Sequence, residues 1–348
     1  MSDQAPKILK LVMLMAGILW GMVLSSCTEK SEPQTPAFSR DFESFDLATN
    51  AFEVCQSKES EKKTFLKFFT EGGYRLSADP GVEALDEFFE AVRVGYSVET
   101  ENLDYSLIKR EYHTFTHAMD VMITIHALFE AGAGVFFTPD EKAVLLLAAL
   151  GHDVLHSGVN NGFLAKTKHP WVEQFGADGV QEKRSVQFME KVLEKYGIFE
   201  ISDTNQSSRS LRMLRQSILW TDFSRHTDLM NQVSEIIPKL ELPKGPEQKR
   251  RISADSILNQ EERILLASFL LHCADVSNPG KEWTVAEKWA YLVMNEFFAQ
   301  GDLEKSLGIE PSMNCDRLKV KIPECQIGFA KYVVHDLYTQ LEKIAPKA

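Results

Sequence analysis

The sequence predicts an all-α protein, a single compact domain of many helices that follows a leader and a polar tether. Three observations carry this reading. Apolar residues recur every three to four positions over most of the chain, as one face of a helix requires. Period-two alternation of β-branched residues, the mark of a half-buried strand, is scarce. The turn signals Asp79-Pro80-Gly81, Thr138-Pro139-Asp140 and Asn278-Pro279-Gly280 all fall between helical stretches.

Residues 1–26 read as a signal peptide: Lys7 and Lys10, an apolar run from Leu11 to Leu24, then small residues before Cys27. The apolar run is shorter than the roughly 20 residues a spanning helix needs. Leu24-Ser25-Ser26-Cys27 resembles a bacterial lipobox, which implies a lipid on the Cys27 thiol and an exported, membrane-anchored protein; an uncleaved anchor and a cytosolic protein with an apolar start are the alternatives. Residues 27–41, with Pro33 and Pro36 among polar neighbours, read as a tether. The domain then runs over 42–345. Phe65, Phe68 and Phe69 mark one helix face, and Leu85, Phe88, Phe89 and Val92 the next. The same period returns in 143–150, 186–193, 264–271 and 289–298. Thr138, followed by Pro139 and by Glu141 three places on, is a helix start with a capping box. The charged stretch Leu240–Ser256, with two prolines, reads as a surface loop.

A chain of 348 residues can bury a polar site within a large core. With 50 acidic against 38 basic side chains and a formal charge of -12, its summed field repels a phosphate backbone, and no arginine stripe interleaved with aromatics is present. Nucleic acid is excluded as a partner. A small anionic substrate is not, because bound cations reverse the local potential. Cys27 belongs to the leader reading; Cys55, Cys273, Cys315 and Cys325 contain no Cys-x-x-Cys, so cysteine-held zinc is not expected. Cys273 reads as a small buried apolar residue.

The chemistry-bearing residues lie in five segments: Tyr112-His113-Thr114-Phe115-Thr116-His117, Gly151-His152-Asp153-Val154-Leu155-His156, Trp220-Thr221-Asp222, the stretch from Leu271 to Pro279, and Gln326-Ile327-Gly328-Phe329. Imidazole mixed with carboxylate is the ligand set that holds zinc beside a harder, water-rich cation. On a helix, His113 and His117 would point one way, a turn apart, so that one ligates while the other faces substrate. His152 and Asp153 follow the apolar run 143–150, where unpaired burial would cost several kcal/mol that ligation removes. His272 and Asp275 repeat that theme, and His156 is a further ligand or an outer partner that orients the others. Singly, each pair is as well explained by structure as by function.

In order and spacing, these segments resemble the catalytic domain of the class I 3',5'-cyclic nucleotide phosphodiesterases of the HD superfamily. Supporting stretches are 158–164, Asn295-Glu296-Phe297-Phe298-Ala299-Gln300-Gly301-Asp302, and Tyr332 to His335 after the last segment. The resemblance implies zinc held by His117, His152, Asp153 and Asp275, with Asp153 also reaching a second ion, magnesium or manganese. It implies hydrolysis of cyclic AMP, cyclic GMP or both to the nucleoside 5'-monophosphate by a hydroxide bridging the two metals. His113 would be the general acid at the departing 3' oxygen. Gln326 would read the purine edge, Phe329 stack on it, Val293 close its other face, and Asn278 lie at the rim. Glu182 would contact metal-bound waters, and Thr221 the magnesium side. An amide carries donor and acceptor and serves either purine, so base preference is unreadable.

The sequence departs from the family pattern at Leu155, where an aspartate is usual, at Ser157, where a proline is usual, and at Arg184 and Ser185 in place of paired histidines. These changes bear on proton relay and rate more than on reaction class. Two rival readings stay open: an HD-type phosphohydrolase of another phosphate ester, and a lipid-anchored protein that binds nucleotide without turnover.

Overall fold

The computed structural model describes residues 45–76, 79–97, 108–199, 205–240 and 257–348. The leader, the tether and residues 241–256 lie outside them. Among the described residues there are helices and no strands. The order is α1 (Ala51–Val54), α2 (Lys58–Thr70), α3 (Gly81–Ser97), α4 (Phe115–Glu130), α5 (Pro139–Gly151), α6 (Asn161–Lys166), α7 (Pro170–Phe175), α8 (Val180–Lys195), α9 (Asn205–Leu219), α10 (His226–Ile236), α11 (Gln260–Asp275), α12 (Trp283–Ser306), α13 (Ile322–Phe329) and α14 (His335–Ile344). Short 3-10 turns at Ala133–Phe136, Phe223–Arg225, Ile237–Leu240 and Asn278–Gly280 join some of them. A wide π turn at Ala330–Val334 connects α13 to α14.

The helix starts follow from side-chain chemistry. At α5 the Thr138 hydroxyl accepts from the Glu141 amide and the Glu141 carboxylate accepts from the Thr138 amide, with Pro139 at the first position. Asn259 and Glu262 build the same reciprocal cap on α11. Both capped helices then run into the interior. Every residue of α5 from Ala143 to Gly151 is buried, as are the residues of α4 from His117 to Phe129. A helix apolar all round is one surrounded by others. Indeed α4 packs on α5 and α11, and α9 lies across α5 and α11. Phe65, Phe68, Phe88 and Phe89 are fully buried in the same core.

Three of these core helices deliver polar residues at their ends to one place: the start of α4, the end of α5 and the end of α11. That arrangement positions the site. Beside it, Lys281 and Asp120 form an ion pair at 3.1 Å with both side chains almost wholly excluded from solvent. The four cysteines among the described residues are free, and Cys273 is fully buried. Of the predicted loop at 240–256 only Leu240 is described, and it is buried. No helix among the described residues is long and apolar enough to cross a membrane.

Candidate active site

His117, in the first turn of α4, meets His152 and Asp153 from the end of α5 and Asp275 from the end of α11. One ligand atom from each lies within 4.8 Å of every other. The His117 Nε2 is 2.9 Å from Asp275 Oδ1 and 3.6 Å from Asp153 Oδ2. His152 Nδ1 donates to the Ala149 carbonyl at 2.8 Å. In neutral imidazole that leaves a bare lone pair on Nε2, which sits 3.0 Å from Asp153 Oδ2 and 3.3 Å from Asp275 Oδ1 with no hydrogen-bond partner.

A buried lone pair facing two carboxylates is repulsive unless a cation stands between them. The site's electrostatics say the same. Burial disfavours the His152 imidazolium, but Asp153 and Asp275 hold its pKa well above the ordinary value. Both aspartates are held well below the usual carboxylate range, against the cost of burial, by the neighbouring histidines. Two imidazole nitrogens and two carboxylates form a donor set that zinc accepts. A second group of carboxylates adjoins it. Burial and the charge of Asp222 push Glu182 up to about 7, with Asp153 adding to the effect. An oxygen-rich edge of this kind suits a harder cation.

His113 does not share a helix with His117. Helix α4 starts at Phe115, and the two rings stand edge to face at 6.2 Å. The reason lies in Glu296 of α12. Its Oε1 accepts from the backbone amides of Glu111, Tyr112 and His113 at 2.8, 2.7 and 3.0 Å, which holds that stretch out of the helix. The other oxygen takes His113 Nδ1 at 2.6 Å. Burial is the largest single influence on the His113 pKa and would lower it, yet the Glu296 charge, Asp153, the Glu296 hydrogen bond and Asp275 together outweigh it and raise the pKa to about 9. Glu296 itself falls to about 2 despite burial, chiefly because of His113. His156 is not among the four converging ligands. Its ring stacks on His113 at 3.7 Å, and burial and the His113 charge lower its pKa to about 3.

His113, Asp153, His156, Asp275 and Glu296 line a cavity of about 460 Å³. Gln326, Phe329, Val293, Asn278, Glu182 and Thr221 all face it. Asn278 is tied on both sides of its amide: Tyr112 Oη donates to Oδ1 at 2.6 Å, and Nδ2 donates to Asp120 at 3.1 Å. The Thr221 hydroxyl donates to the Ile218 carbonyl, and Glu182 accepts from Asn161. His272 stands apart from the ligand set, paired with His226 at 2.9 Å.

The model of the family described as 3'5'-cyclic nucleotide phosphodiesterase matches residues 112–348. The chain belongs to this family. Among curated relatives it is 31% identical over 253 residues to "3',5'-cyclic-AMP phosphodiesterase, isoform F" of Drosophila melanogaster, covering 70% of this chain and 37% of that protein. It is 32% identical over 243 residues to "3',5'-cyclic-AMP phosphodiesterase 4C" of Rattus norvegicus, covering 68% and 44%. The chain therefore spans less than half the length of these relatives. Among solved structures it resembles LmjPDEB1 in complex with IBMX, with a TM-score of 0.72 and 25% identity over 98% of this chain and 92% of that one. It shares its fold with the phosphodiesterase domain of the Salpingoeca rosetta rhodopsin phosphodiesterase, with a TM-score of 0.74, 22% identity and 89% of each chain covered.

Within this phosphodiesterase-family chain, several groups at the site carry no recognisable sequence signal. Glu296 lies in one of the supporting stretches with no role of its own, Tyr112 and Asp222 belong to the five segments without a role, and Gln181 and Asp120 stand outside them. What the structure adds is a partner for four of them, His113 for Glu296, Asn278 for Tyr112, His156 for Gln181 and Lys281 for Asp120, and for Asp222 the like charge of Glu182 nearby. The departures at Leu155, Ser157, Arg184 and Ser185 all fall in one turn and the helix beside it.

Proposed function

We propose that this protein opens a 3',5'-cyclic nucleotide to the nucleoside 5'-monophosphate, with two divalent cations as cofactors. The observation that carries the reading is the meeting of His117, His152, Asp153 and Asp275 at one point beside a protonated His113. The four would hold zinc, with Asp153, Glu182 and Asp222 bordering the place of magnesium or manganese. When bound, the cations supply Lewis acidity that activates water and draws charge from the phosphate.

The chain's own side chains do the rest. An alkoxide is a poor leaving group, so a proton must reach the 3' oxygen as the bond breaks. His113 holds that proton, because Glu296 on Nδ1 favours the imidazolium and fixes the ring so that Nε2 points away from its partner. The stacked, neutral His156 limits the ring's rotation. Phe329 and Val293 offer apolar surface for a purine, and Gln326 an amide for its polar edge. The cavity is of the size small ligands fill. The matched relatives named as cyclic-AMP phosphodiesterases support cyclic AMP as the first substrate to try.

Protein lacking residues 1–26, assayed with cyclic AMP, cyclic GMP and a generic aryl phosphodiester, with and without chelator, tests the reading. Chelator-sensitive release of 5'-monophosphate is expected; cleavage of the generic ester alone, or binding without product, would overturn it. We also propose a lipid anchor at Cys27 and export to a membrane surface, supported by Lys7, Lys10 and the apolar run up to Leu24. Incorporation of labelled fatty acid by the full chain, lost in Cys27→Ser, is the expected result; equal labelling of both would refute the anchor.

A further inference from the structure

The turn that follows α5 carries Asp153 and His156; the amides of Val154 and His156 bond back to Gly151 and Asp153, but its later carbonyls take outside partners. Leu155 has φ +65°, the left-handed region that a branched aliphatic residue rarely occupies. The carbonyls of three successive residues turn away from any helical partner, and each is met by a side chain instead. Ser185 Oγ donates to the Val154 carbonyl at 2.8 Å, Arg184 Nη1 to the Leu155 carbonyl at 2.8 Å, and Arg110 Nη1 to the His156 carbonyl at 3.1 Å. Gln181 completes the set. Its Oε1 accepts from the Ser157 amide at 2.8 Å, and its Nε2 donates to the Val159 carbonyl at 2.7 Å and lies 2.8 Å from His156 Nε2.

Gln181, Arg184 and Ser185 stand at i, i+3 and i+4 on α8, so one helix face grips the whole turn. Arg184 is the unusual member. Its guanidinium lies 3.2 Å from the centre of the Trp171 ring, and no carboxylate of the described residues pairs with it; the charge that bears on it is that of Arg110. A half-buried cation without a counter-ion is costly to keep, and its guanidinium donates to the Leu155 carbonyl, the residue whose backbone is strained.

We propose that Arg184, supported by Gln181 and Ser185, is a positioning residue that holds Leu155 in the left-handed conformation and thereby sets His156 against the His113 ring. On the hydrolase reading above, its loss falls on turnover and not on substrate capture, because Arg184 is outside the cavity lining and touches no group assigned to the purine. The strain at Leu155 relaxes when the Arg184 donor is gone, the turn moves, and the His156 ring leaves its 3.7 Å stack on His113.

The test uses Arg184→Met, which keeps an apolar stem on Trp171 and removes every donor, with Arg184→Lys to restore one, and Leu155→Asn, a residue that tolerates the left-handed region. Expected for Arg184→Met is a fall in kcat of about tenfold or more with KM changed by less than about twofold, the scale that a displaced catalytic group produces. Arg184→Lys should recover part of it, and Leu155→Asn combined with Arg184→Met should recover more than Arg184→Met alone. Amide exchange over 152–159, which needs no turnover, should quicken in Arg184→Met and slow again in the double variant. Unchanged kcat with unchanged exchange over 152–159 would overturn the clamp. So would a loss of kcat that merely follows a loss of folded protein. Were the wild type inactive on cyclic nucleotides, the hydrolase reading would fall, while the exchange measurement would still decide the clamp.

Discussion

Replacing Glu296 with glutamine separates the charge on this residue from its structural duty. The amide oxygen of the variant can still accept from the backbone amides of residues 111–113, so the entry into α4 should survive. What disappears is the negative charge 2.6 Å from His113 Nδ1. The rise of His113 from 6.5 to about 9 corresponds to roughly 3 kcal/mol in favour of the imidazolium. Burial opposes the rise; Glu296 contributes to it twice, through charge and through hydrogen bonding, and Asp153 and Asp275, whose charges bound cations would offset, add to it. Assigning at least half to Glu296 gives about 1.5 kcal/mol, or about one unit of pKa. A general acid works only when protonated, so activity is lost as pH rises through its pKa. The variant should therefore lose activity at a pH lower by about one unit or more, running at about half the wild-type rate at pH 8 and roughly tenfold slower by pH 10. Profiles of kcat against pH from 6 to 10 with cyclic AMP, on protein of measured metal content, provide the assay. A basic limb in the same place for both proteins would refute the assignment of His113 and Glu296 as an acid pair.

Three other outcomes are expected. His113→Ala should keep its bound metal while kcat falls by roughly 10²- to 10⁴-fold, whereas Asp275→Ala should lose both, read by elemental analysis beside turnover; full zinc in Asp275→Ala would break the ligand set. Lys281→Met should destabilise the fold by about 3–5 kcal/mol, since it strands the fully buried Asp120 carboxylate, and a melt within a degree or two of wild type would contradict that. Gly301→Ala should also be strongly destabilised, because an added Cβ would stand 1.9 Å from the Cys315 carbonyl oxygen, which is backbone and cannot swing aside; chemical denaturation measures it.

The helices were legible wherever a face or a cap declared itself. Thr138, Pro139 and Glu141 announce α5, and the run behind them is buried as its composition requires. The ends of α5 and α11 were legible too, because histidine and aspartate after an apolar run need an explanation. Other features were hidden for physical reasons. The four-residue spacing of His113 and His117 suggests one helix, but a carboxylate 183 positions away captures the amides that would have started it. Nothing in the identity of Glu296 signals this, since its partners exist only once α12 lies against the start of α4. Leu155 is a residue from which no one would predict a left-handed backbone, and only its neighbours on α8 make that conformation tenable. The role of Asn278 is similarly remote, set by Tyr112 and Asp120 rather than by its own segment.

The four converging side chains sit at 117, 152, 153 and 275, on the ends of helices that meet only after α4, α5 and α11 have packed. No contiguous peptide of this protein holds the set, so an unfinished chain has little means of retaining an ion. A cation held by this set would be acquired where folding is completed, and the stock of metals in that surrounding would become part of the selection. An ion bound there would join three helices as a rivet does, and its removal should loosen regions of the molecule remote from the cavity.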